Sequence, residues 1–464
     1  MTQTKKSKAI DLTQGNPMRL LIIFAIPMLI GSIFQLCYNM VDTIVLGKFV
    51  SPEALASVGA TSSTTMMFHM ATNAVTNAIT ILISQAWGAK QAERVRKTVG
   101  QSILVSLSWS AFLGVLAFFG TRPLMMLLGV PANIIEGSIT YITITCGLNI
   151  AMTMYNASAQ ILRAIGDSRT PLYFLILCSL LNVVLDLAFV LWLDAGVAGV
   201  AWATVISQVV SAVLCFAYMW KKYPQLRFSV SDMKPERETM TMVGKLAGPM
   251  LLQNMTLSVG DMLISSVINS FGSDIVAAYT VGAKVQSIVA ITFSQVAFSF
   301  SVYSAQNYGA KKYDRISEGL TAAAKLILGS VALSSAIMLL FAPQLSCIFV
   351  DKSNVNILAN AVQLVRVDAC FLWALGLIWL MNSCLRGMGH IKPTFISSMV
   401  ELASKISLSI ALSSIFGAIG IWFAAPIGWV LGLIPGIGYY RYSGWKQKAI
   451  EADRKAAEKA AQSA

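Results

Sequence analysis

Charged side chains interrupt the long apolar stretches of this sequence at Asp42, Asp186, Asp261, Lys284, Arg366, Asp368, Glu401 and Lys405. If those stretches lie in a bilayer, each charge costs on the order of 3 kcal/mol to insert and calls for a function or a partner. Gln35, Tyr38, Asn39 and Asp42 recur at i, i+3, i+4 and i+7, one stripe of an otherwise apolar helix. Asn182 and Asp186 are i and i+4 and share a face. At ~1.5 Å rise per residue, Asn182, Asp186 and Thr204 lie about 10 to 17 Å below one end of their helices, and Asp42 about 8 Å below its own. All four fit in one half of the same group of helices. Two carboxylates, an amide oxygen and a hydroxyl are hard oxygen ligands suited to Na⁺. The same two carboxylates, desolvated and close, can instead share one proton. The sequence leaves both open, and Asn182 and Thr204 also suit plain interhelical hydrogen bonding.

The second half carries a different set. Asp261 and Lys284 lie at similar depth on consecutive helices and are expected to pair, and Glu401 with Lys405 at i and i+4 can neutralise each other. His69, Asn73 and Asn77 form a stripe read as interhelical hydrogen bonding. With two histidines and no HExxH, GxSxG or GxxxxGK[ST], neither a metalloprotease, a serine hydrolase nor a phosphate-binding loop is present. Seven scattered cysteines make neither a disulfide framework nor a zinc site. No cofactor is expected beyond a coupling ion.

The elements that must hold these residues follow from composition. Of 464 residues, 56% are hydrophobic and 12% charged, against roughly 25% charged in a soluble domain. At ~20 residues per span, the apolar residues fill about a dozen crossings. Apolar stretches fall near 18 to 47, 54 to 85, 98 to 120, 134 to 160, 170 to 193 and 196 to 220, then 244 to 271, 275 to 305, 320 to 342, 355 to 383, 393 to 416 and 418 to 440. The first is longer than a signal-peptide core and no small-residue cleavage site follows it, so a retained span is expected. With both termini cytoplasmic, inner segments hold 27 Lys and Arg and outer loops only Lys48, Arg122 and Lys352. That asymmetry satisfies the positive-inside rule and accounts for the net charge of +13 without a nucleic-acid partner.

The chain also repeats itself. Pro27 matches Pro249, Val58-Gly59-Ala60 matches Val281-Gly282-Ala283, and the Gln85-to-Lys90 loop matches Gln306 to Lys311. Leu162-Arg163 with Gly166 matches Leu385-Arg386 with Gly389, and the offsets stay between 221 and 223. Six crossings return the chain to its starting side, so the repeats must be parallel. The expected domains are a cytoplasmic segment 1–17, a six-helix lobe 18–220, a basic linker 221–243, a second lobe 244–440 and a basic cytoplasmic tail 441–464. Pro27, about two turns before the Asp42 stripe, is a candidate hinge.

These residues resemble the multidrug and toxic compound extrusion (MATE) family of bacterial efflux antiporters. The resemblance runs from about residue 15 to 440 and rests on Tyr38-Asn39-Met40-Val41-Asp42 after Pro27, Asn182 with Asp186, Thr204, the two QxxGAK loops and the Leu-Arg pairs. It implies an all-α, twelve-helix, V-shaped transporter of two six-helix lobes, monomeric in a bacterial inner membrane. It implies Asp42, Asn182, Asp186 and Thr204 as the cation-linked group, with Gln35, Tyr38, Asn39 and Asn156 in the substrate cavity. NorM-type members carry an acid in the tenth helix where this chain has Ala374-Leu375-Gly376, which places it nearer the DinF-like branch. Asp261 matches a NorM-type acid of the seventh helix and, with Lys284 and Glu401, is the second-lobe candidate. The expected activity is export of amphipathic, mostly cationic compounds in exchange for H⁺ or Na⁺. A lipid-linked precursor flippase would need a cationic cavity, for which only Lys284, Arg366 and Lys405 are available, and a membrane-embedded enzyme lacks a visible catalytic set.

Overall fold

The computed structural model describes residues 9–463, so Lys5, Lys6 and Lys8 of the N-terminal basic group lie outside the described residues. Among the described residues there is no strand. The α-helices are α1 Pro17–Val45, α2 Pro52–Gly88, α3 Ala92–Leu127, α4 Ala132–Thr145, α5 Ile150–Ala164, α6 Arg169–Leu191 and α7 Gly196–Lys222, then α8 Arg237–Asn269, α9 Ser273–Gly309, α10 Tyr313–Cys347, α11 Val355–Gly387, α12 Ile391–Phe416, α13 Ala418–Tyr442 and α14 Trp445–Ser463. Among the described residues eleven are long and apolar enough to cross a membrane, and α4 with α5, bent by 44° at the break between them, reaches that length and apolarity as a pair. Apolar side chains face outward and polar ones inward: on α6, Leu180 and Val184 are each 62% exposed while Asn182 and Asp186 are fully buried. That inversion suits a hydrocarbon solvent.

The bend between α4 and α5 replaces the unbroken stretch expected over 134 to 160. Its cause is local. A Cβ on Gly147 would overlap the Thr143 carbonyl, and one on Gly114 of α3 would come 2.7 Å from the Gly147 carbonyl oxygen. Two glycines let the broken backbone nest against α3.

The sequence repeat is a structural repeat. After α2, Lys90 takes φ 56° and the loop closes through Lys90 N to Trp87 O at 3.0 Å and Gln91 N to Ala86 O at 3.2 Å. After α9, Lys311 takes φ 60° with Lys311 N to Tyr308 O at 3.0 Å and Lys312 N to Asn307 O at 2.9 Å. The Leu-Arg pairs end α5 and α11 in the same left-handed cap, on Gly166 at φ 98° and Gly389 at φ 82°.

By internal packing the chain divides into two compact units. One comprises Ile26–Leu251 with the described residues up to Asp11, the other Leu12–Ala25 with Leu252 onward. Both transitions fall inside helices, α1 and α8, within two residues of Pro27 and Pro249. In the first unit the stretch after α7 forms two short 3-10 turns, and a Ser229–Asp232 capping box with Arg96 Nε 3.0 Å from Asp232 pins it to α3. In the second unit the α9–α10 loop holds the segment before α1: Gln306 Oε1 accepts from Leu12 N and Asn307 Nδ2 donates to Leu12 O at 3.1 Å. The basic tail folds as α14, docked through Trp445, Ala449 and an Asp453–Lys311 ion pair of 3.0 Å.

Candidate cation site

The site of the first unit is set by an apolar cluster at the ends of four helices. Val45, Leu46, Ala54, Val190 and Val200 are buried together, with Val41 and Leu187 against them. Val41 and Leu187 adjoin Asp42 and Asp186 in sequence, so this packing turns both carboxyls to the same place. The two carboxyls lie against each other, with the Tyr38 hydroxyl beside Asp42. Thr204 Oγ1 accepts from Tyr38 Oη and from Asn182 Nδ2, each at 3.4 Å, and donates to the Val200 carbonyl at 3.0 Å.

Asp42 Oδ1, Asn182 Oδ1 and both Asp186 oxygens are buried without a hydrogen-bond donor. A buried carboxylate without a donor or counter-charge is costly, so this arrangement calls for a positive charge. The donor set fits two. A proton placed between Asp42 and Asp186 satisfies both carboxyls. Na⁺ would take oxygens from Asp42, Asp186 and Asn182, whereas Thr204 already accepts twice and donates once. No cluster of three or more His, Cys, Asp or Glu residues suited to a metal exists among the described residues.

Of the residues singled out in sequence, the structure therefore brings Tyr38, Asp42, Asn182, Asp186 and Thr204 together. Gln35 and Asn39 are exposed on α1, and Asn156 is half-buried on α5 with no described bond to the cluster. Pro27 is buried within α1. Two neighbours escaped the sequence reading. Tyr141 of α4 interacts electrostatically with both acids, and Cys178, one turn before Asn182, interacts with Asp42 and Tyr38. The i−4 spacing of Cys178 was a usable signal; Tyr141 depends on a helix contact distant in sequence. Of the α2 stripe, Asn77 accepts from Gln160 Nε2 at 3.2 Å.

In the second unit the expected Asp261–Lys284 pair does not form. Asp261 Oδ1 accepts from Lys405 Nζ at 3.1 Å, and Lys284 instead lies 5.5 Å from the Phe349 ring centroid. The two helices come close beside this pair: a Cβ on Gly260 of α8 would meet the Leu402 side chain of α12. Lys405 is drawn to another helix rather than to Glu401, one turn back on its own. With Lys405 neutralised, one of the three cations open to a flippase is spent.

A family profile, MatE, matches residues 27–188 and again 249–410, once on each repeat. The chain is 26% identical over 444 residues to the probable multidrug resistance protein YoeA of Bacillus subtilis, covering 93% of this chain and 95% of that one. It is 24% identical over 412 residues to the DNA damage-inducible protein F of Escherichia coli, covering 87% of each, and 23% identical over 430 residues to an FAD transporter of Shewanella oneidensis, covering 91% and 93%. A crystal structure of MATE in the bent conformation superposes with a TM-score of 0.89 at 23% identity, over 96% of this chain and all of that one. With the profile falling on both repeats and full-length relatives that are transporters rather than enzymes, the chain belongs to the MatE family of multidrug efflux transporters.

Proposed function

We propose that this protein exports small amphipathic, mostly cationic compounds across a bacterial inner membrane in exchange for protons, and that Asp42 and Asp186 hold the proton between them. The observation that carries the reading is the pair of adjoining carboxyls, of which Asp42 Oδ1 and both Asp186 oxygens are buried without a donor. From the outer side a proton enters the pair; a bound cation then loses a net negative charge to face, its hold weakens, and it leaves. Pro27 supplies a bend in α1 through which the Asp42 stripe changes its exposure. The charge asymmetry of the loops supports termini on the cytoplasmic side. Two six-span lobes, 18–220 and 244–440, and a monomer remain the working organisation.

A second reading, Na⁺ as the coupling ion, is favoured by one atom. Asn182 Oδ1 is buried and unpaired, and an amide oxygen ligates a metal ion where it would not take a proton. Everted vesicles loaded with the protein and assayed with ethidium decide between them. Proton coupling gives uptake on acidifying the lumen without Na⁺; uptake that requires lumenal Na⁺ at fixed pH overturns the proton reading.

A further inference from the structure

The second unit holds four ionisable groups around one ammonium. Lys405 of α12 has a side chain 19% exposed and reaches Asp261 of α8, whose side chain is 68% exposed. Glu401 lies one turn back on α12, Asp368 on α11 is 4% exposed, and Tyr279 on α9 completes the ring; all three feel the Lys405 charge. From α13, Gly428 lies close to the Glu401 carbonyl and Gly432 close to its Cβ. Glu401 and Asp368 have no ion pair and no hydrogen bond among the described residues. An ionised carboxylate without a partner inside a span is costly, which favours the neutral acid at Glu401 while Lys405 pairs with Asp261.

Resting on the reading of cation-for-proton exchange, we propose that Lys405 is a tethered cation that moves between Asp261 and Glu401, so that a cationic compound taking Asp261 sends the ammonium to Glu401 and expels its proton. Asp261 is the exposed end of the pair, and an ionised side chain in a span faces water rather than lipid. An incoming cation therefore meets Asp261 first. The displaced ammonium, on its flexible four-carbon stem, has Glu401 one turn away. Charge balances: the Asp261 carboxylate passes from Lys405 to the compound, the Glu401 O–H bond breaks, its carboxylate pairs with Lys405, and one H⁺ leaves. The second unit thus exchanges a proton for a cation without binding an inorganic ion, because lysine occupies that role.

The test is proton release from purified, weakly buffered protein on adding tetraphenylphosphonium, read with a pH indicator alongside probe binding. Wild-type should release one proton per probe bound at Asp261. Lys405→Met should still bind the probe and release less than about a tenth as much, and Glu401→Gln should do the same with the Lys405–Asp261 pair intact, which covers misfolding of the first variant. Asp186→Asn should keep the release. Release that vanishes in Asp186→Asn but survives in Lys405→Met and Glu401→Gln belongs to the Asp42–Asp186 pair and overturns the proposal while sparing the function reading. A wild-type protein that binds no probe, or binds it without release, also overturns it and leaves the vesicle assay to judge the first site.

Discussion

Asp186→Asn separates stability from coupling because the two should move in opposite directions. In the wild-type site both Asp186 oxygens and Asp42 Oδ1 are buried without a donor. The Asn amide keeps the shape of Asp and offers its N–H to Asp42. A hydrogen bond to a charged group contributes about 1.5–3 kcal/mol, so the variant should be at least as stable as wild-type and by up to that amount more so. Transport should collapse. When one monovalent cation exchanges for one proton the electrical terms cancel, and a pH difference of one unit is worth about 1.4 kcal/mol, a tenfold accumulation. Coupled through the Asp42–Asp186 pair alone, everted vesicles with a lumen one unit more acidic should therefore concentrate ethidium about tenfold, and clamping the membrane potential with valinomycin and K⁺ should not change that ratio. A second proton per cation, as release from Glu401 would supply, adds another tenfold from the pH difference and about 2.3 kcal/mol per 100 mV, close to fiftyfold, and would respond to the clamp. Asp186→Asn and Asp42→Asn should each give a ratio near one. Tenfold accumulation retained by either variant, or destabilisation of Asp186→Asn by several kcal/mol, refutes the reasoning.

Thr204→Val is isosteric but strands the Tyr38 hydroxyl and the Asn182 amide; with bonds of 3.4 Å the loss should be about 1–2 kcal/mol in a denaturation midpoint, and a loss below ~0.3 kcal/mol would show that Thr204 does not organise the site. Asp232 accepts from the Ser229 backbone N–H and hydroxyl and pairs with Arg96, which together hold its carboxyl below the usual range. That stabilisation is complete above the unfolded value of about 3.9 and is lost as pH falls through the lower folded value. Asp232→Asn should therefore speed hydrogen exchange over 224–236 at neutral pH, whereas wild-type should show the same loosening only in stronger acid; equal exchange in both at neutral pH would exclude the anchor. Single cysteines at Ser231 and Ser353 in a Cys-free background should label from the cytoplasm and the exterior respectively, and labelling of both from one side would refute the orientation.

Much of the architecture was legible because it rests on short-range physics. Three of the four repeat matches mark places where the backbone must do the same thing twice: two prolines within helices, two loops with a lysine in the left-handed region, and two glycine caps after Leu-Arg. The polar stripe of α1 and the i, i+4 pair of α6 followed from helical periodicity. What the sequence hid depends on how helices meet. The α4–α5 break depends on Gly147 nesting against Gly114, although each glycine alone is ordinary in a membrane helix. Lys405 has a carboxyl one turn away on its own helix and yet pairs across to Asp261, where Gly260 of α8 lies against Leu402 of α12. Asp368, for which spacing supplies no partner, is buried on α11. Thr204 suits both an ion ligand and interhelical hydrogen bonding by spacing; its hydroxyl accepts from Tyr38 and Asn182 and donates to Val200, a pattern that one-dimensional spacing does not carry.

The central claim is that Asp42 and Asp186 share the coupling proton, and infrared difference spectroscopy of the purified protein tests it most directly. On lowering the pH, wild-type should gain a carboxylic-acid C=O band and lose carboxylate intensity, and Asp42→Asn and Asp186→Asn should each lack that band. The same band in wild-type and in both variants would contradict the account.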